Sequence, residues 1–158
     1  AGPLYELANV FMLAWPYGNP MVMSSYRFED GDQGPPATAP IAASGACDDA
    51  WVCEHRFPSI TGMVGFRNVT DGMPVSNWQV MNESAIAFGR GNKGFVVINA
   101  GNTPITAALS TGMPPGRYCN VVAECSNDSQ TVEADGSLQV SLPPVSALAI
   151  HTGRLEQH

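Results

Sequence analysis

The chain has 158 residues, 44% of them apolar, with 7 basic and 14 acidic side chains and a formal net charge of −7. That length fits one domain, or a small domain joined to part of another. The acidic balance argues against nucleic acid and against an anionic membrane surface, because both require a basic patch; an uncharged, hydroxyl-rich ligand is compatible with it.

The first element read along the chain is a helix from Leu4 to Leu13. Leu4, Leu7, Ala8, Phe11 and Met12 recur at i, i+3, i+4, i+7 and i+8, which predicts one apolar face. Pro3 suits the first turn and Pro16 stops the helix. The longest apolar run, Val10 to Trp15, is far short of the ~20 residues of a membrane span. No basic segment precedes it, so it is not read as a signal peptide. The chain starts at Ala1 rather than Met, as expected of a processed or cut polypeptide.

Met21 to Tyr26 reads as a short buried strand. From Glu29 to Ala50 the chain is rich in Gly, Pro, Ala and acid, which predicts a long loop. A second helix is expected from Pro58, with Ile60, Met63, Val64 and Phe66 inward. Gly62 and Gly65 weaken it by about 1 kcal/mol each relative to alanine.

After Asp71-Gly72 the texture changes to short apolar runs. Strands are expected over 78–81, 85–89, 95–99, 106–109, 117–123, 131–133, 138–142 and 147–151. Turn signals separate them at Gly91-Asn92, Gly101-Asn102, Pro114-Pro115-Gly116 and Asp135-Gly136. Asp135-Gly136 predicts a type I′ hairpin, and about eight such strands suggest an antiparallel sandwich or Greek-key barrel. A boundary near Asp71 to Ser76 follows. The β part can bury its own core. The first 70 residues cannot, so their apolar faces are expected to pack on something outside this sequence.

Cys47 and Cys53 are six residues apart, and so are Cys119 and Cys125. Two local disulfides and an oxidising compartment are the reading. A four-cysteine zinc site competes with it, but zinc ligands usually sit closer together. Closing such short loops contributes less than the ~3 kcal/mol of a 15-residue loop. Asn68-Val69-Thr70, Asn82-Glu83-Ser84 and Asn127-Asp128-Ser129 are formal glycosylation acceptors.

Several segments together resemble animal-type α-amylases of glycoside hydrolase family 13. They include Phe11-Met12-Leu13-Ala14, Pro16-Tyr17-Gly18, Val22-Met23-Ser24-Ser25-Tyr26 and Trp51-Val52-Cys53-Glu54-His55-Arg56. Phe66-Arg67-Asn68-Val69, Asn77-Trp78, Ala87-Phe88-Gly89-Arg90-Gly91-Asn92, Tyr118-Cys119 and Ala149-Ile150-His151 continue the match in order. The resemblance implies the last αβα segment of a (β/α)8 TIM barrel over residues 1–70. An all-β Greek-key C-terminal domain would then span residues 75–158. It also implies the disulfides Cys47–Cys53 and Cys119–Cys125.

In that family the whole enzyme is secreted and hydrolyses internal α-1,4 bonds of starch. Retaining glycosidases use two carboxylates ~5–5.5 Å apart, and the resemblance places them, with the calcium ligands, before Ala1. The catalytic and metal sets are therefore expected to be empty here, and the chain alone inactive. The expected partners are the N-terminal barrel portion and starch or malto-oligosaccharide. Chloride-activated members carry a cation where Met21 stands, so chloride activation is not expected. The loop from Glu29 to Ala50 is shorter than in mammalian members, which implies a more open cleft.

Asp30 and Asp32 are substrate-rim candidates, because loops after barrel strands face the active site. The competing reading is plain turn chemistry, and Glu29 with Asp32 is a weak acid/base pair. Phe57 stands where family members can carry a sugar-holding tryptophan. Trp51 and Trp78 could stack on sugars but are expected to be buried. His55 and His151 read as structural, and Arg90 to Gly94 as a solvated basic turn. The alternatives to an amylase portion are a non-catalytic carbohydrate-binding β module and a disulfide-stapled structural or inhibitory domain.

Overall fold

The computed structural model describes residues 2–125 and 129–155. The acceptor Asn127 and the terminal His158 lie outside the described residues. Helix α1 spans Pro3–Ala14, opens with proline in its first turn, and ends where Trp15 turns extended ahead of Pro16. Its buried residues are Leu7, Asn9, Val10, Leu13 and Ala14. The expected face is therefore rotated: Leu4 is 62% exposed, Ala8 and Phe11 are exposed too, and Met12 is half-buried. The helix is apolar almost all round, so periodicity allowed two faces and the neighbouring sheet selected one.

The stretch from Met21 to Tyr26 forms no strand. Tyr26 alone makes a bridge, to Trp51, flanked by Val52 N–H to Ser25 O at 2.8 Å and Arg27 N–H to Ala50 O at 2.9 Å. Met21 and Met23 are exposed rather than buried. A strand needs a hydrogen-bonded ladder; among the described residues it begins only at Ser25, and the backbone of 21–24 has no such neighbour. The loop beyond it is tied by the bridge Ile41↔Cys47 and the Cys47–Cys53 disulfide.

Helix α2 spans Pro58–Val69 and buries Ser59, Ile60, Met63 and Phe66, while Val64 is exposed. Gly62 is a packing requirement, because a Cβ there would overlap the Val121 carbonyl. The helices are joined by Ser59 Oγ donating to Glu6 Oε2 at 2.6 Å.

Eight strands follow: β1 Val75–Asn82, β2 Ala85–Arg90, β3 Gly94–Asn99, β4 Ile105–Ser110, β5 Gly116–Cys119, β6 Ser129–Val132, β7 Ser137–Leu142 and β8 Ser146–His151. They form two antiparallel sheets, in the orders β1-β2-β3-β8 and β4-β7-β6-β5. The chain crosses between sheets after β3 and returns after β7, a Greek-key-like path.

The molecule is layered as helices, first sheet, second sheet. Phe88, Val96, Ile98, Ala147 and Ala149 share a core with Leu7, Val10, Leu13, Ile60, Met63 and Phe66. The alternate residues Ala87, Phe95, Val97, Leu148 and Ile150 share a second core with Leu109, Tyr118, Leu138 and Val140. The first 70 residues are thus not wholly without support in this chain. One face of each helix rests on a sheet that is apolar on both sides.

Two turns differ from expectation. Gly136 has φ +80° but Asp135 does not have positive φ, and Gly136 N–H bonds Glu133 O at 2.9 Å. This is a type I turn closed by a left-handed glycine, not type I′. The fifth strand stops at Cys119 and continues as a 3-10 turn, Val121–Ala123. The Asn120 side chain draws the chain away by accepting from both Val122 N–H and Ala149 N–H at 3.2 Å.

Candidate functional site

Three groupings of chemically active side chains stand out. The first lies under the segment 21–28. Glu54 is 3% exposed and accepts from Ser25 twice, from its N–H at 2.8 Å and from its hydroxyl. Burial alone pushes the Glu54 carboxyl up, but the two Ser25 bonds outweigh it and hold it below the usual carboxylate range. Next to it, Ser24 Oγ and His55 Nδ1 are 3.0 Å apart. A largely apolar hollow of about 510 Å³ opens here between Tyr5, Met23, Tyr26 and Phe28. The two hydrogen bonds tie this buried carboxylate to Ser25, so it shapes the backbone of the segment above it.

The second grouping is a pair of arginines at the end of α1. Arg90 is 3% exposed and donates to Met73 O at 3.0 Å, Ala14 O at 2.6 Å and Thr70 O at 3.1 Å. Arg67 donates to Trp15 O at 2.8 Å and Gly18 O at 2.6 Å. The two cations satisfy carbonyls at and beyond the negative end of α1. Burial first, then the like charge of Arg67, lowers the Arg90 pKa, against the opposing pull of Asp71. The solvated-turn reading of Arg90 is therefore corrected. The missed signal was strand alternation: Phe88 and Arg90, two apart, share the face turned to the helices.

The third grouping is aromatic. Trp78 stacks on Phe88 with centroids 5.6 Å apart, and Trp15 meets both rings edge-on. Trp78 is 48% exposed, which corrects the expectation of burial. It lies on the edge strand β1, beside a register shift and the positive φ of Asn77, and a bulge there re-aims the side chain. Trp51 is half-buried, with Nε1 donating to Thr38 O at 3.0 Å.

The rim candidates lie apart from these. Asp30 and Asp32 are both exposed, and Asp30 Oδ1 accepts from Asp32 N–H at 3.0 Å in a local turn. Glu29 N–H donates to Gln33 Oε1 at 3.3 Å. Phe57 is half-buried and packs on the helix core. Met21 is 84% exposed. Cys47–Cys53 and Cys119–Cys125 are disulfides, so no thiolate is left for zinc. Among the described residues no three His, Cys, Asp or Glu side chains converge on a point, and none is assigned to calcium.

Residues 76–153 match the family model for the α-amylase C-terminal all-beta domain. An α-amylase of Streptomyces violaceus is 43% identical over 150 residues, covering 95% of this chain and 26% of that protein. The pancreatic α-amylase of Sus scrofa is 41% identical over 160 residues, covering 88% of this chain and 31% of that protein. The chain belongs to the α-amylase family. The crystal structure of α-amylase I from Eisenia fetida superposes with a TM-score of 0.82 at 36% identity, over 95% of this chain and 35% of that one. The α-amylase match thus runs through both helices as well as the sandwich. The chain spans about a quarter to a third of the length of these α-amylase relatives.

Proposed function

We propose that this chain is the C-terminal part of a secreted α-amylase that hydrolyses internal α-1,4-glucosidic bonds of starch or glycogen. In this reading residues 1–70 supply the final helix, strand and helix of the (β/α)8 barrel, and residues 75–158 form the accessory β domain. The observation that carries it is the placement of α1 and α2 on the first sheet while, among the described residues, the backbone of 21–24 has no strand partner and the outer side of α1 is uncovered. The outer side of α1 and the extended segment 21–25 are what a neighbouring barrel helix and strand would cover. The two disulfides support a secretory route.

The catalytic carboxylates and calcium would come from the preceding barrel portion. Asp30, Asp32 and Phe57 would belong to the rim, where each could touch glucan without reacting with it. The exposed Trp78 ring favours a second role, surface contact with glucan. An Eisenia fetida relative was crystallised with maltohexaose, which fits malto-oligosaccharide as the ligand class.

The test is reconstitution. The chain is co-expressed with a polypeptide carrying the first seven barrel strands of a relative, and soluble-starch hydrolysis is assayed. Activity is expected for the complex and none for either part. Turnover by the 158-residue chain alone overturns the proposal. The complex should work equally in chloride-free and chloride buffers, because the Met21 thioether carries no charge to hold an anion; a strong rise with chloride contradicts that assignment.

A further inference from the structure

A groove of about 560 Å³ runs between α2 and the end of β8, and neither α1 nor the segment 21–25 lines it. One wall is the α2 stripe of Thr61, Gly65 and Asn68, at i, i+4 and i+7. The other carries His151, Glu124 and Arg154. The His151 ring is 4% exposed. Its Nδ1 accepts from Gly153 N–H at 3.1 Å, which places the ring proton on Nε2. Nε2 lies 3.8 Å from where a side chain on Gly65 would begin. No group among the described residues accepts its proton, and the atom is not sealed from the groove. A fixed donor thus opens onto an unfilled space.

We infer that this groove binds a neutral, hydroxyl-rich molecule of the sugar class, with one of its oxygens accepting from His151 Nε2. The charges on the walls select the class. Glu124 disfavours an anion and Arg154 disfavours a cation. Asn68 and Thr61 each donate and accept, as hydroxyl groups do. The backbone of Gly65 and the methyls of Val69 and Val121 offer an apolar floor for the C–H side of a sugar ring. Burial, then the Arg154 charge, lowers His151 to about 4, so the ring stays a neutral donor at physiological pH. The ligand class is that of the proposed amylase substrate. The site itself rests on His151 and Gly65, and its test needs no barrel.

The test uses the 158-residue chain from a bacterial host, which leaves Asn68 unglycosylated. Maltotriose is titrated while the amides of Gly65 and Gly153 and the His151 ring nitrogens are followed by NMR. Saturable shifts at these positions are expected, with a dissociation constant of roughly millimolar order in the absence of an aromatic platform. Gly65→Leu fills the groove at a helical position where leucine is well tolerated. It should weaken binding at least about tenfold with the melting temperature unchanged or raised. Should that variant fail to fold, Asn68→Ala at an exposed position is expected to weaken binding several-fold instead. Three results overturn the inference: no saturable shift, undiminished binding in the variant that folds, or the same shifts produced by sulfate.

Discussion

Residues 3–69 and residues 75–151 solve the problem of burial in opposite ways. The β region closes on itself: alternate side chains of β2, β3 and β8 fill one core between two sheets and another beneath the helices. The N-terminal region borrows its stability. Its helices bury one stripe each on the sheet, and 43 residues, 15–57, run between them with two isolated bridges, one disulfide and one short 3-10 turn, Glu54–Arg56. The difference teaches that sequence similarity along a chain does not imply equal self-sufficiency along it. A region can be faithfully family-like and still bury only one stripe of each of its helices.

The largest expected effect comes from the shared core. Phe88→Ala removes a fully buried ring that touches Phe11, Trp15 and Trp78, and should destabilise the chain by about 3–5 kcal/mol. Urea unfolding measures it. A loss below about 1 kcal/mol would mean that the helices do not rest on the sheet in solution.

Arg90→Met tests the clamp rather than the core. It strands the carbonyls of Ala14 and Met73 and leaves Thr70 O with the Met73 N–H alone, and about 2–3 kcal/mol should be lost. Amide exchange should show the end of α1 opening before the sandwich does. Uniform loss of protection across both regions would contradict a clamp confined to their junction.

Acid should weaken the same junction through His151. Its folded pKa of about 4 lies below the ordinary 6.5, so the unfolded chain binds the extra proton. The contribution is fully present above pH 6.5 and is lost as pH falls toward 4. The bound is about 3 kcal/mol, reduced by solvent reaching the ring through the groove. Chemical denaturation across that window should show a shallower pH dependence for His151→Asn than for the parent chain; equal slopes would remove His151 as the cause.

The smallest effect on stability belongs to the outer side of α1. Leu4→Ser at a 62% exposed position should change the stability of the isolated chain by less than about 0.5 kcal/mol. The same variant should impair reconstitution with the barrel portion. Unimpaired reconstitution would leave that face without the proposed neighbour.

Much of the β region was legible in the residues, because strand alternation and Gly- or Pro-bearing turns are local signals. Observed strands begin or end within three residues of the expected ones, except where Asn120 diverts the fifth. Both disulfides lie where the regular spacing of the cysteines pointed. The local signals failed where a third element decided the outcome. The exposed ring of Trp78 depends on a bulge in an edge strand, and 21–24 form no strand because no backbone among the described residues pairs with them. Among the chemically active residues, Glu54 and Arg90 went unrecognised. Their partners, Ser25 and the carbonyl of Ala14, are 29 and 76 residues away in the chain.

By itself the sequence determined the order of elements, the turn positions, the cysteine pairing and the family resemblance, each of which depends on residues close together or on their types. The tertiary structure alone decided which side of α1 is buried and that Arg90 holds α1 to the sheet. It alone left a donor of His151 facing an open groove. Burial and hydrogen-bond satisfaction are properties of what lies opposite a residue, and periodicity along one chain segment does not contain that information.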